Sequence, residues 1–214
     1  MAGAVVVGAG PLIGTSVARR FAKEGMPVTV IARSPATVDA AVRAVGGTAA
    51  FGLTADVTDE EAIRSALDRS VAANGVPDVV VYNAAVIRAD RLGELSAAEL
   101  AGTLAVNVIG GVTVGAHVAP TMVDAGGGSL LFTGGMPGVK AEYASLSLGK
   151  AALRTVADLF RAAYGDRGLH VATVTVHDAV VPGTPYDPDL IAEEFAALHH
   201  EPVGRWRHEV AFRR

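Results

Sequence analysis

Ala4-Val5-Val6-Val7-Gly8-Ala9-Gly10-Pro11-Leu12-Ile13-Gly14 is the stretch that decides how this chain folds. Four apolar residues with no polar alternation read as a strand covered on both faces, as at the centre of a parallel sheet. Gly8 ends that run, and Ile13–Glu24 reads as a helix stopped by Gly25. Between the two, glycines let the backbone turn sharply and approach a bound group closely. A pyrophosphate suits such a turn, because negative charge is favoured at a helix N-terminus. A glycine turn that binds nothing is the alternative, and the strand–turn–helix context weighs against it.

The same alternation continues outward. Val28–Ala32 is a second buried strand, Pro35–Val45 a helix ended by Gly46-Gly47, and Thr48–Leu53 a third strand. Asp59–Ala73 is a helix closed by Asn74-Gly75, and Val79–Asn83 a fourth strand. Ser96 with Glu99 forms a capping box for a long helix towards Val123, which Gly126–Gly128 breaks. Ser129–Thr133, Glu142–Tyr164 and His170–Val176 follow as strand, helix and strand, with a last helix over Asp187–His199. Strands alternating with helices imply βαβ units, since each parallel crossover needs a helix on one face. The expectation is a single α/β domain over residues 1–214: a doubly wound parallel sheet of six strands with helices on both faces. A short seventh strand at Glu209–Phe212 competes with a short closing helix containing Trp206 and Arg207. Residues 178–214 are expected to form a short, divergent lid and helical segment.

Composition excludes several classes. In 214 residues, half are hydrophobic and 19% charged, enough to bury a sizeable core. A formal charge of −4 without a basic cluster gives no electrostatic support to nucleic-acid or anionic-membrane binding. The absence of cysteine removes disulfides, thiolate catalysis and Cys-type zinc sites. The histidines lack metal-ligand spacing, and no metal is expected. Met1-Ala2-Gly3 runs into an apolar strand without the basic start of a signal peptide, so a cytoplasmic location is expected. Leu100–Val123 contains no Asp, Glu, Lys or Arg, but Asn107, Gly110, Gly111, Thr113, Gly115, His117 and Pro120 make it weakly apolar. A buried or interface helix is favoured over a membrane span.

Motifs in order along the chain sharpen the picture. Gly8 and Gly14 match the ends of a Gly-x-x-x-Gly-x-Gly turn, with Leu12 at the middle glycine, Ile13 beside it and Gly10 as an extra flexible position. The second strand ends at Arg33-Ser34 with no acidic residue. Arg33 offers a charge-assisted fork to a phosphate and Ser34 a hydroxyl donor, although an arginine can equally well just solvate a strand end. Asp56-Val57 follows the third strand, and Tyr82-Asn83-Ala84-Ala85 ends the fourth. Taken singly, Asp56 could cap a helix and Asn83 could be a turn residue. Ser145-Leu146-Ser147-Leu148-Gly149-Lys150 carries a lysine one helical turn after Leu146.

Over residues 4–176 these motifs resemble the short-chain dehydrogenase/reductase family, whose active-site helix carries Tyr-x-x-x-Lys. The resemblance implies a Rossmann-type fold and an NAD(P) cofactor acting on a small carbonyl or alcohol. It assigns the phosphate turn to Gly8, Gly10, Leu12, Ile13 and Gly14, the adenine edge to Asp56 and Val57, and the ribose wall to Asn83, Ala84, Ala85 and Lys150. An acid at the end of the second strand would bind the ribose diol of NAD; Arg33 and Ser34 make NADP the preferred cofactor over NAD. The family's catalytic group implies Asn107 in a water-mediated proton path and Thr133, thirteen residues before Leu146, in place of a serine that orients substrate. Lys150 tunes the tyrosine in that family, but here the tyrosine is Leu146, which has no proton to give. General acids contribute about 10²–10⁴-fold, so a substitute is needed for turnover.

Tyr143 and His177 are the two candidates. Tyr143 lies about 10 Å from Lys150 by helical rise, closer only if the first turn is unwound. His177 ends the sixth strand, at the edge where such sheets bind ligands. Each has a structural alternative: Tyr143 as a packing residue, His177 as a partner of a backbone carbonyl. Asn107 can likewise be structural, bonding a carbonyl, and Thr133 a strand-end turn residue. Two functions remain open: an NADP-dependent oxidoreductase with an atypical proton donor, or a catalytically inactive nucleotide-binding relative serving as sensor or partner subunit. The helices over 103–123 and 144–164 resemble the family's dimer-forming pair, which implies a homodimer.

Overall fold

The computed structural model describes residues 3–46 and 50–214. Met1 and Ala2, the second glycine of Gly46-Gly47, and the Thr48-Ala49 start expected for the third strand lie outside the described residues. Seven strands, β1 (Ala4–Val7), β2 (Val28–Ala32), β3 (Ala50–Thr54), β4 (Val79–Tyr82), β5 (Gly128–Gly135), β6 (Leu169–Val176) and β7 (Glu209–Phe212), form one sheet. The spatial order is β3-β2-β1-β4-β5-β6-β7, and every pair is parallel. Because the order reverses between β1 and β4, helices leave their carboxyl ends in opposite directions and open a crevice there.

The helices are α1 (Ile13–Ala22), α2 (Pro35–Val45), α3 (Glu60–Asn74), α4 (Ala97–Leu104), α5 (Gly110–Asp124), α6 (Ala144–Tyr164) and α7 (Pro188–His199). Their starts follow local chemistry. Ser34 and Asp59 accept the N–H of Thr37 and Ala62, and Ser96 and Glu99 complete the expected capping box. One core packs α1, α2 and α7 on the sheet through Val17, Phe21, Val38, Ile191 and Phe195. The other packs α3, α5 and α6 through Ile63, Leu67, Val114, Met122 and Leu153. β1 and β2 are buried throughout, as expected from their apolar runs, and so are β4 and β6.

One expectation about the end of the chain is corrected. The closing helix at Trp206 and Arg207 does not form, and Glu209–Phe212 instead adds a parallel edge strand to β6. The Trp206 ring stacks on the buried His170 ring at 4.9 Å, and Trp206 Nε1 donates to the Glu201 carbonyl. The helical part of the expected segment over 178–214 forms as α7. α7 belongs to the core layer, with Arg20 bonding Glu193 at 2.8 Å and Arg19 paired with Asp189.

Ala97–Asp124 is one continuous helical stretch, long and apolar enough by composition to cross a membrane. Its inner face, Val114, Val118, Ala119 and Met122, is buried against the sheet. Ile109 and Val112 point outward. A π-helical turn over Ala105–Ile109 separates α4 from α5 and carries Asn107.

Candidate active site

Gly8 and Gly14 are required by close approach. Gly8 has φ +89°, and a Cβ there would sit 2.3 Å from the Ala84 nitrogen; at Gly14 it would sit 2.4 Å from the Gly8 carbonyl. Gly10 is different: a Cβ would meet nothing within 4 Å. Its open side faces a cleft of about 1050 Å³ at the carboxyl ends of the strands. That volume is just above the roughly 300–1,000 Å³ typical of small-molecule sites.

The cleft gathers nearly every residue singled out from the sequence. Gly8, Gly10, Leu12, Ile13 and Gly14 line one wall, with Arg33, Ser34, Asp56 and Val57 at one end. Asn83, Ala84 and Ala85 line the middle, and Thr133, Tyr143, Leu146, Lys150 and His177 the far end. Only Asn107 is absent from the lining.

At the distal end, Asp56 accepts the N–H of Thr58 at 2.9 Å and its hydroxyl at 2.8 Å. The Thr58 N–H first, then the hydroxyl and the charge of Arg33, hold its carboxyl below the usual range against partial burial. Asp59, not Asp56, caps α3. Ser34 is already engaged as the cap of α2, bonded to the N–H and hydroxyl of Thr37. Arg33 is exposed beside it.

In the middle, Asn83 ties three strands together. Its Nδ2 donates to the Gly8 carbonyl at 2.7 Å, and its Oδ1 accepts the Thr133 hydroxyl at 2.8 Å. Tyr82, the residue preceding it, is fully buried and donates to the Val106 carbonyl at 2.5 Å. Burial, then the charge of Asp56, raises its pKa. Room for it comes from Gly110, where a Cβ would meet the Tyr82 oxygen at 2.4 Å.

Asn107 lies behind the cleft wall with no exposed surface. Its carboxamide takes both backbone groups of Val86, accepting the N–H at 2.7 Å and donating to the carbonyl at 3.1 Å. It pins the loop after β4, the structural role left open by the sequence. Gly149 makes this possible, since a Cβ there would lie 2.7 Å from the Asn107 Cβ.

Leu146 is 4% exposed and sits in the cleft wall one turn before Lys150, itself 5% exposed. Lys150 Nζ donates to the Thr133 carbonyl at 2.6 Å. Burial, and then the neighbouring charge of Arg154, push its ammonium down to about 8. Tyr143 is the residue before α6, outside the helix, and its carbonyl accepts the Ser147 N–H at 2.8 Å; it lines the same cleft as Lys150. The His177 backbone N–H bonds Phe212, which holds it at the end of β6.

Several residues here escaped sequence reasoning. Asp90, almost fully buried, accepts the N–H and hydroxyl of Ser145 and fixes the start of α6. The Ser145 hydroxyl first, then its N–H and Arg88, hold that carboxyl below its usual range. Fifty-five residues separate the pair, so no local pattern announces it. Met136 adopts φ +48°, the one non-glycine at positive φ among the described residues. Arg154 donates to the Gly135 and Met136 carbonyls at 3.0 and 3.4 Å. Only the i, i+4 spacing from Lys150 hinted at Arg154.

The site fits a dinucleotide: a glycine wall open at Gly10, a cation at one end and a buried lysine at the other. Comparison with known proteins agrees. The family model described as short chain dehydrogenase matches residues 2–186. The chain is 32% identical over 212 residues to cis-4-hydroxycyclohexanecarboxylate dehydrogenase of Sinomonas cyclohexanicum, covering 94% of this chain and 82% of that protein. It is 34% identical over 175 residues to "Probable oxidoreductase EphD" of Mycobacterium tuberculosis, covering 79% of this chain but spanning only 29% of that longer protein. Among solved structures, a metagenomic short-chain oxidoreductase in complex with NADP superposes with a TM-score of 0.88 at 26% identity, covering 98% of this chain and 95% of the other.

Proposed function

The chain belongs to the short-chain dehydrogenase/reductase family, and on that premise we propose that it is an NADP-dependent oxidoreductase of a small carbonyl or alcohol, working with an atypical proton donor. The observation that carries this reading is the single cleft joining the glycine turn, Arg33, Asn83 and Lys150. In it, the Gly8–Gly14 turn would hold the pyrophosphate and Asp56 and Val57 the adenine edge. Asn83, Ala84, Ala85 and Lys150 would hold the nicotinamide ribose. Arg33, with no acid at the end of β2, would favour a 2′-phosphate and hence NADP over NAD. The bound nicotinamide supplies a hydride.

The chain's own residues orient the substrate and manage its proton. Thr133 turns its hydroxyl hydrogen to Asn83 and keeps acceptor lone pairs for a substrate alcohol. Val86, Ile87, Met136, Leu146, Val176 and Val180 give the substrate end an apolar lining, suited to a substrate with an apolar body. A homodimer through 103–123 and 144–164 would cover the outward Ile109, Val112, Leu148 and Leu159 and account for the charge-free helix without a membrane. A cytoplasmic location and no nucleic-acid partner complete the reading.

The buried Leu146 also favours a second reading, a nucleotide-binding relative that has lost turnover and serves as sensor or partner subunit. Titration of the protein with NADPH, followed by a carbonyl panel on wild type and Leu146→Tyr, separates the two. Absence of NADPH binding sinks both. Binding with turnover only in Leu146→Tyr supports the lapsed enzyme, and turnover by wild type supports the oxidoreductase.

A further inference from the structure

We propose that Lys150 itself delivers the proton to the substrate oxygen, with Arg154 as the positioning residue that prepares it. This inference rests on the reading of the cleft as a nicotinamide site.

Most hydroxyl and amide protons near Leu146 are already bonded within the protein; the Tyr143 hydroxyl, which lines the same cleft, is the rival donor that the Tyr143→Phe variant tests. Thr133 gives its hydroxyl hydrogen to Asn83, and Asn83 gives an N–H to Gly8. Ser145 gives its own to Asp90, and Ser147 exchanges bonds with the backbone of Lys140. Asn107 is taken up by Val86. Leu146 has none. Lys150 has three N–H bonds, and the Thr133 carbonyl takes one, its single hydrogen-bond partner among the described residues. Two N–H bonds remain on a group that lines the cleft, one for the nicotinamide ribose and one for the substrate oxygen.

Its surroundings favour giving a proton up. A buried ammonium whose partner is a carbonyl rather than a carboxylate is poorly compensated. Arg154, one turn further along α6, adds a like charge. The two cations also act as a pair on the end of β5. Lys150 holds the Thr133 carbonyl, while Arg154 holds those of Gly135 and Met136. Met136 sits in the left-handed region, which a side chain of its kind adopts only when neighbours enforce it. Arg154 bonds the carbonyls of Met136 and of the residue before it, at the end of β5 whose Thr133 carbonyl holds Lys150.

The other titratable groups of the cleft are Lys140 and Tyr143 before α6, His177 and Asp178 after β6, and Arg33 and Asp56 at the distal end. Burial and Arg154 are the influences that lower the proton affinity of Lys150. In the reductive direction, the substrate carbon accepts the hydride supplied by the reduced nicotinamide. Its oxygen takes a proton from Nζ, one N–H bond breaking as the O–H bond forms. The neutral amine regains a proton from solvent through the open cleft.

Two readouts test this together. In protein labelled with carbon-13 at lysine Cε, the Lys150 signal should titrate with a midpoint near 8, the value burial and Arg154 impose. Arg154→Met should move that midpoint up by about one pH unit, and Arg154→Lys should hold it. With NADPH and an accepted carbonyl, kcat should fall through the same midpoint as pH rises, and that limb should follow the Arg154→Met shift. Lys150→Ala should lose about 10²–10⁴-fold in kcat and recover part of it with added methylamine. Tyr143→Phe and His177→Ala should leave the limb in place. A limb that stays fixed while the Arg154→Met signal moves, or that disappears in Tyr143→Phe or His177→Ala, overturns the assignment to Lys150 alone. A Lys150 signal that does not titrate near 8 also overturns it. Failure of wild type to bind NADPH, or to turn over any carbonyl, overturns the oxidoreductase reading and this inference with it.

Discussion

Lys150→Met should make the protein more stable at neutral pH while removing its chemistry. Burial and Arg154 lower the Lys150 ammonium from its ordinary 10.5 to about 8, and at about 1.36 kcal/mol per pKa unit this costs the folded state roughly 3 kcal/mol at pH 7. Methionine fills a similar volume without the charge but loses the hydrogen bond to the Thr133 carbonyl, worth about 1 kcal/mol. The net gain is about 2 kcal/mol, which in a domain of this size raises Tm by about 4–8 °C. The sign with pH follows from linkage. Lys150 has a folded-state pKa below its unfolded value, so between pH 8 and 10.5 the unfolded chain binds more protons and wild-type stability rises with pH. Below 8 both states are protonated and the penalty is at its full size. The advantage of Lys150→Met should therefore be constant below pH 8 and shrink towards pH 10. Urea melts of both proteins from pH 6.5 to 10 measure it, and groups titrating equally in both cancel in the difference. A Lys150→Met protein less stable than wild type at pH 7, or a gap unchanged up to pH 10, would refute the reasoning.

The glycine turn separates folding from binding: Gly8→Ala should destabilise by at least about 2 kcal/mol, because the added Cβ meets the Ala84 backbone at 2.3 Å. Gly10→Ala, where a Cβ meets nothing, should leave the urea midpoint unchanged while weakening NADPH binding about tenfold or more in a fluorescence titration. Asn107→Ala should cost about 2–3 kcal/mol and speed hydrogen exchange at the Val86 amide, since it removes both bonds that pin Val86; unchanged protection there would contradict the clamp. Arg33→Ala should raise the Kd for NADPH by about tenfold or more and leave that for NADH nearly unaltered, with equal losses for both cofactors arguing against a 2′-phosphate contact.

Most of the site was legible because its parts sit at the ends of strands, and strand ends are local features. The apolar run before Gly8 fixed β1, and the glycines after it fixed the turn. Arg33, Asp56 and Asn83 then fell at the carboxyl ends of β2, β3 and β4, all on one edge of the sheet because every strand is parallel. What those groups do once there was less legible. Thr133 and Asn107 could each be assigned to chemistry or to structure, and their hydrogen bonds, one to Asn83 and the other to Val86, join residues far apart in the chain. The competition between β7 and a closing helix was also undecidable locally, because the stacking of Trp206 on His170 joins residues far apart in the chain.

By itself, then, the sequence determined the order of strands and helices, the parallel sheet, the glycine turn and the place of Leu146 one helical turn before Lys150. Periodicity and glycine placement carry that information within a few residues. Only the tertiary structure decided that Lys150 is buried against a carbonyl, that Arg154 shares the end of β5 with it, and that Asp90 anchors α6. These depend on which polar groups lose water together. Burial and hydrogen-bond pairing are properties of contacts across the chain, and no local spacing encodes them.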